Sequence, residues 1–241
     1  MKMAELPYEI EGLQKALGYT YNDISLLQKA LTHSSYSNEI KLRHGEAECN
    51  ERLEFLGDSV LSIVVSEYLF SHYTKRPEGE LTRMRAEVVC EKALSKFAER
   101  IGLGNYLLLG HGEEKNNGRE RKSILADAFE AVLASIYLDA GKEGKKMVAR
   151  FLLPLIIEEL EAAESDGHSK DYKTLLQQIV QQAEGEVLEY VTIAESGPDH
   201  KKSFTVEARL NSNVIGRGVG KSKKLAEQQA AKEALALMGI K

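Results

Sequence analysis

The sequence has few of the features that mark secreted, disulfide-bonded or membrane proteins. It contains only two cysteines in 241 residues, Cys49 and Cys90, which cannot form a disulfide framework and show no CxxC spacing. No run approaches the ~18 consecutive apolar residues that cross a bilayer, and residues 1–13 lack the apolar core of a secretion signal. These absences predict a cytoplasmic protein without a membrane segment.

Proline is also scarce, and no internal repeat or low-complexity tract is present. Residues 1–160 show apolar side chains at three- and four-residue spacing, which predicts an almost entirely helical domain. Residues 162–170 are small, polar and aperiodic, as in a linker. After them come a short helix, three β-type stretches and an alanine-rich helix with Ser222 as its N-cap. The predicted ranges of these five elements are 172–183, 187–193, 204–210, 214–219 and 223–238.

The sequence therefore predicts a multi-domain fold with two different parts. An all-α domain occupies residues 1–161, the linker spans 162–170, and a small α+β domain with the order α-β-β-β-α occupies 171–241. Within the first domain, the polar residues 110–121 are expected to form a loop near the acidic motifs.

The net charge of −5 is divided unevenly between these parts. Residues 171–241 carry 10 Lys and Arg against 9 Asp and Glu, whereas the rest of the chain carries 22 against 28. An acidic front and a slightly basic back suggest two different functions.

The front domain contains an acidic stripe at residues 50–61, NERLEFLGDSVL. Glu51, Glu54 and Asp58 stand at i, i+3 and i+7 of a predicted helix, within about 60° of arc. A second pair, Asp127 and Glu130, interrupts an otherwise apolar helix. Carboxylates embedded in apolar surface must be protonated, paired or metal-bound.

Two interpretations of these acids remain open from the sequence alone. An acidic stripe is most often a solvated surface. If the two helices instead pack with their acidic sides together, Glu54, Asp58, Asp127 and Glu130 form a hard oxygen site that suits Mg²⁺ or Mn²⁺ rather than zinc. The histidines show no metal-ligand spacing. Divalent ions held by carboxylates serve phosphoryl chemistry, because they activate water and stabilise charge on oxygen.

The acidic run at 50–61 resembles the signature of ribonuclease III, the family of double-stranded-RNA endonucleases. Residues 78–85 (EGELTRMR), 123–130 (SILADAFE) and 31–35 (LTHSS) resemble further motifs of that family in the same order. The resemblance covers nearly the whole chain.

This resemblance implies roles for individual acids. Glu54, Asp58, Asp127 and Glu130 would bind Mg²⁺, with Mn²⁺ able to substitute, and Asp58 and Glu130 would be the catalytic residues. Glu51 and Glu78 would be additional acids at the edge of the site, near a subunit contact.

The family resemblance also implies an activity and a partner. The protein would be a homodimer with one site per subunit, and it would hydrolyse both strands of an RNA duplex. The products would carry 5′-phosphate and 3′-hydroxyl ends with a short 3′ overhang. Ribosomal RNA precursors and other structured transcripts would be substrates.

In the back domain, Lys221, Lys223 and Lys224 lie at the start of the last helix. Positive charge there opposes the helix dipole, which makes sense if a phosphate backbone supplies the negative charge. Ordinary solvated lysines are the alternative. Aromatic stacking platforms are not evident, which speaks against single-strand binding.

The lysines, the element order and the GPDH motif at 197–200 together resemble a double-stranded-RNA-binding domain. The first helix would then contact a minor groove, the loop with His200 a neighbouring minor groove, and the lysines the phosphates between them. The residues implied on the first helix are Thr174, Gln177, Gln178 and Gln181.

Two rival functions come from other classes. A non-catalytic regulator that binds duplex RNA would use the back domain and leave the acids structural. A metal-dependent phosphohydrolase of small nucleotides would use the acids but would have no need of the basic helix.

Overall fold

The computed structural model describes residues 10–44, 47–165, 172–181, 185–198 and 202–240. The chain divides into two compact units, Met1–Ala163 and Glu164–Lys241. The first unit is helical, as the sequence predicts. Its α-helices are α1 (Ile10–Leu17), α2 (Ile24–Ala30), α3 (Ser34–His44), α4 (Glu51–His72), α5 (Glu78–Val88), α6 (Glu91–Arg100), α7 (His111–Lys115), α8 (Lys122–Asp139) and α9 (Gly144–Ser165).

Helix α8 lies at the centre of the first unit, because apolar residues cover most of its circumference. The Phe129 ring is fully buried, and its centroid lies 5.9 Å from those of Phe97 on α6 and Phe151 on α9. Burying a side chain of this size stabilises the fold by about 1.5–3 kcal/mol. Asp127 and Glu130 project from this same helix and are therefore only half-exposed.

Helix α9 extends further than the sequence predicts. It continues to Ser165, into the segment that was expected to be a linker from residue 162. Leu160 is buried against the core, and Ala162 and Ala163 are strong helix formers, so the helix continues after its last apolar anchor. The remainder of the predicted linker, residues 166–170, lies outside the described residues.

The prediction of a loop at residues 110–121 is wrong. This segment contains α7 and a 3₁₀ turn at Gly118–Glu120. One guanidinium nitrogen of Arg119 donates to the carbonyl oxygens of Gly104 and Leu107, each at 2.9 Å. Arg119 also pairs with Glu114 at 2.7 Å. The segment is therefore held in a defined conformation by Arg119, although most of its other polar side chains are exposed.

The second unit has the predicted order α-β-β-β-α. Its elements are α10 (Tyr172–Gln181), β1 (Leu188–Ser196), β2 (Ser203–Leu210), β3 (Asn213–Gly220) and α11 (Lys223–Leu237). The strands form an antiparallel sheet in the order β1-β2-β3. Asn211 and Ser212, between β2 and β3, have φ angles of 47° and 70°, as a two-residue hairpin turn requires.

Helix α11 packs directly on strand β3 because both surfaces are made of small residues. A Cβ on Gly218 would collide with the carbonyl oxygen of Ala226, and Ala226 and Ala230 are fully buried. Ser222 caps the helix as predicted, since its Oγ accepts from the Leu225 N–H at 3.3 Å. The first turn of α11, with its lysines, is thereby fixed beside the end of the sheet.

Cys49 and Cys90 are both free thiols. Among the parts of the chain that the structure describes, no helix combines the length and the apolar character needed to span a membrane.

Candidate metal centre and nucleic-acid interface

The acids of α4 and α8 come together where the two helices nearly touch. Gly57 is buried on α4, and a Cβ there would collide with the carbonyl group of Glu130 on α8. Glycine alone permits such close approach. Glu54 and Asp58 stand on either side of Gly57 in α4, and Asp127 lies one turn before Glu130 in α8. The four acidic residues therefore all lie within one helical turn of this helix contact.

The pKa values of Glu130 and Glu54 reflect the charges around them. Burial raises the pKa of Glu130 to about 8, and the charges of Asp58, Glu54 and Asp127 add to the rise. The pKa of Glu54 is raised by burial and then by Asp127 and Glu51. Neighbouring carboxylates thus make ionisation of Glu130 and Glu54 less favourable, a condition that a nearby cation reverses.

His33 is a residue of this site that the sequence did not assign to it. Burial raises the pKa of Asp127, while the His33 imidazole acts in the opposite direction. The His33 ring is held by Ser35, whose backbone N–H donates to Nδ1 at 3.2 Å and whose Oγ lies 2.8 Å from Nδ1. In the sequence, His33 was marked only by its place in the LTHSS motif, and the spacing of that motif does not indicate how far His33 lies from Asp127.

The two additional acids differ in their relation to the group. Glu51, one turn before Glu54 on α4, contributes to the raised pKa of that carboxyl group. Glu78 begins α5, where its carboxylate accepts from the Thr82 hydroxyl at 2.9 Å. Within the described residues, no interaction links Glu78 to the four central carboxylates.

The donor set fits a hard divalent cation. All four central side chains offer carboxylate oxygen, which Mg²⁺ and Mn²⁺ prefer, and no thiolate is among them. No three Asp, Glu, His or Cys side chains in the described parts of the chain stand close enough to form a ready ligand cluster. A bound divalent charge would offset the repulsion between carboxylates drawn together around it.

The predicted nucleic-acid side of α10 is exposed. Leu176 and Val180 are buried in the core of the second unit, so the opposite side of the helix faces solvent. That side carries all the polar residues proposed from the sequence, Thr174, Gln177, Gln178 and Gln181. His200 lies outside the described residues.

The three lysines at the start of α11 are all exposed, but Lys223 is engaged within the chain. Its Nζ lies 2.9 Å from Glu195 Oε1 at the end of β1 and 5.6 Å from the centroid of the Phe204 ring on β2. The sequence did not predict this pair, because only the folded sheet brings Glu195 beside the helix.

A separate exposed surface of α4 is apolar. Phe55, Ile63 and Phe70 are 79%, 55% and 76% exposed, and they lie within about 80° of arc on one side of the helix. Large exposed apolar side chains grouped in this way mark an interaction surface.

Comparison with known proteins gives consistent findings for both units. Residues 23–159 match the family described as Ribonuclease-III-like, and residues 172–238 match the double-stranded RNA binding motif. Ribonuclease 3 of Pelotomaculum thermopropionicum is 49% identical over 224 residues, covering 92% of this chain and 90% of that protein. Ribonuclease 3 of Syntrophomonas wolfei is 50% identical over 221 residues, covering 92% and 91%.

A solved structure is similar to the first unit. It is the nuclease domain of ribonuclease III from Campylobacter jejuni, described for structural flexibility in a region involved in dimer formation. It is 42% identical, with a TM-score of 0.56, and covers 63% of this chain and 98% of that chain.

Proposed function

This chain belongs to the ribonuclease III family of double-stranded-RNA endoribonucleases, and from that premise we propose that it is a divalent-metal-dependent enzyme that cuts both strands of RNA duplexes. The observation that supports the proposal is the close approach of α4 and α8 at Gly57, within one helical turn of Glu54, Asp58, Asp127 and Glu130. The products would have 5′-phosphate and 3′-hydroxyl ends with a short 3′ overhang. Ribosomal RNA precursors and other structured transcripts in the cytoplasm are the proposed substrates.

In this proposal Glu54, Asp58, Asp127 and Glu130 hold the ion, and Asp58 and Glu130 are catalytic. A bound Mg²⁺ or Mn²⁺ supplies an activated water and offsets negative charge on the phosphate oxygens. Glu130 would bind it in the ionised form, so its carboxyl group releases a proton on binding. His33 favours the ionised form of Asp127. Glu51 would be an additional acid at the edge of the site, and Glu78, at the start of α5, a further acid near the subunit contact.

The proposed division of labour follows the two units. The catalytic domain (1–161) carries the acids, and the second domain (171–241) grips the duplex. The exposed Thr and Gln side chains of α10 suit the hydroxyl groups and base edges of the shallow minor groove of A-form RNA. The loop with His200 would contact a neighbouring minor groove, and Lys221, Lys223 and Lys224 would contact phosphates.

The family also implies two copies of the chain, each cutting one strand. The apolar side of α4, with Phe55, Ile63 and Phe70, supports this homodimer, because burying three such side chains against a second copy removes apolar surface from water. The acidic first unit repels RNA, and the metal ion together with the basic lysines would offset that repulsion.

The decisive experiment compares the intact chain with Glu130→Gln on one long RNA duplex, with and without Mg²⁺. Glu130→Gln removes a ligand charge without changing the size of the side chain. We expect cleavage only by the unchanged protein and only with Mg²⁺, while both proteins bind the duplex equally in a gel-shift assay. Sequencing of the product ends tests the predicted 3′ overhang.

Glu99→Gln is the matched control, because Glu99 is an exposed carboxylate on α6 and takes no part in the site. It should cut like the unchanged protein. Cleavage by Glu130→Gln would refute the metal site, and binding without any cleavage by the unchanged protein would favour the non-catalytic regulator.

A further inference from the structure

The lysines of the RNA-binding surface are not equivalent in the folded chain. Lys223 forms an ion pair with Glu195, with Nζ 2.9 Å from Oε1, and its Nζ also lies over the Phe204 ring. Glu195 and Phe204 are register partners in the β1–β2 ladder. The sheet therefore holds a carboxylate beside one of the cations proposed to contact phosphate.

Two lysines act on the Glu195 carboxylate. Lys223 and Lys202 both lower the pKa of this carboxyl group, so the carboxylate is ionised and stands among lysines. This is the environment that a phosphate of a nucleic-acid backbone would require. The Glu195 carboxylate thus occupies, within a basic surface, a position that suits an anion.

We propose that Glu195 is an internal competitor of the RNA phosphate for Lys223, and that it restrains the affinity of the second domain for polyanions. This inference rests on the RNA-binding role proposed above. When a duplex binds, Lys223 exchanges the carboxylate for a phosphate oxygen. The displaced carboxylate then remains beside the duplex, where it repels the phosphate charge.

The pair can exchange because it is open to solvent. The side chains of Lys223 and Glu195 are 57% and 46% exposed, and exposed ion pairs contribute little to stability. A phosphate in a duplex attracts a lysine more strongly than one carboxylate does, because neighbouring phosphates add to the negative potential. Glu195 therefore affects the affinity by competing with phosphate for Lys223, and not by holding the Lys223 side chain in position for phosphate.

The salt dependence of binding gives this proposal a signature. A lysine that meets a phosphate releases a counterion, and each such contact changes the slope of log K against log salt by about −0.9 on duplex DNA. Lys223 contributes less than this while Glu195 already neutralises it. Removing the carboxylate should therefore make the slope steeper, by up to about one unit.

The test measures binding of a synthetic RNA duplex of about 20 base pairs to the full chain in chelator, over a range of salt. Glu195→Gln should tighten binding about two- to five-fold near physiological salt, the range that exposed ion pairs contribute, and steepen the slope. In a Lys223→Met background most of this gain should vanish, because the competing pair no longer exists.

Glu189→Gln is the matched control, since Glu189 is exposed on the same strand but at the far end from Lys223. It should leave affinity and slope nearly unchanged. Unchanged or weaker binding by Glu195→Gln overturns the proposal, as does equal tightening by Glu189→Gln. Failure of the unchanged protein to bind the duplex overturns the RNA-binding role itself, and this inference with it.

Discussion

At the scale of single residues, the central question is how four carboxylates coexist in a half-buried site. Glu130 shows the cost most clearly, because burial and the charges of Asp58, Glu54 and Asp127 raise its pKa to about 8. A carboxyl group that keeps its proton near neutrality is an unusual feature, and such groups concentrate at functional sites. The site is therefore destabilised by its own charges until a cation or protons neutralise them.

This destabilisation predicts a pH dependence of folding in chelator. Between pH 4.5 and about 8 the folded chain keeps a proton on Glu130 that the unfolded chain has released, so the free energy of unfolding falls as pH rises through this range. Glu130→Gln removes the effect and should stabilise the metal-free protein at pH 8 by about 1–2 kcal/mol, a value reduced for solvent screening.

Urea unfolding at pH 5.5 and pH 8 measures this difference. The raised pKa values of Glu54 and Asp127 act in the same direction, so some pH dependence remains in the variant. An identical pH dependence in Glu130→Gln and the unchanged protein would contradict the assignment.

Single residues also show the limit of reading a site from sequence. Helical spacing was enough to group Glu51, Glu54 and Asp58 on one side of α4, because that grouping is local. The place of His33 beside Asp127 and the contact of Gly57 with Glu130 depend on how distant segments pack. No pattern along the chain encodes those distances, so neither residue could be assigned a role beforehand.

At the scale of elements, the site depends on the separation of α4 and α8. Gly57→Ala would place a methyl group against the Glu130 carbonyl, with backbone on both sides. The helices must move apart, so we expect a loss of about 1–3 kcal/mol of stability, typical of overpacking. We also expect at least a ten-fold loss of cleavage with all four acids intact, because their spacing changes.

Gly112→Ala provides the comparison for this prediction. Gly112 is also a helical glycine, in α7, but a Cβ there meets nothing within 4 Å. It should retain cleavage and stability. Thermal unfolding and duplex cleavage measure both variants, and normal activity in Gly57→Ala would show that the close helix contact does not set the site.

At this scale, an element could be predicted from the sequence where its buried residues recur at a regular spacing. Helices α4, α6 and α8 follow their apolar patterns, because each has buried residues at three- and four-residue spacing. The segment at 110–121 and the end of α9 do not, since Arg119 bonds to backbone carbonyls and residues 162–165 continue a helix without apolar anchors. The structure of these two segments depends on hydrogen bonds and helix propensities, which the pattern of apolar residues does not reveal.

At the scale of the whole molecule, the order of the two units and the difference in their charge were visible in the sequence. An acidic catalytic unit and a slightly basic binding unit in one chain imply that affinity and chemistry can be altered separately. The apolar side of α4 was not predicted as exposed, because apolar residues in a helix normally indicate the core. Its exposure points to the second copy of the chain instead.

This surface predicts the effect of a polar substitution on assembly. Phe55→Gln should weaken the homodimer, because a side chain that is 79% exposed in one chain gains its burial only from the second copy. We expect sedimentation at micromolar concentration to shift toward the monomer, with helix content unchanged. Double-strand cuts should fall with the dimer, since two sites are needed to cut both strands at one position.

Leu237→Gln tests whether any exposed apolar residue would have the same effect. Leu237 is 76% exposed on α11 of the second unit. It therefore belongs to a different helix and a different unit from the apolar side of α4. It should leave sedimentation unchanged. If both variants dissociate the protein equally, or if Phe55→Gln remains a dimer, then α4 does not form the subunit contact and another surface must bring the two catalytic sites together.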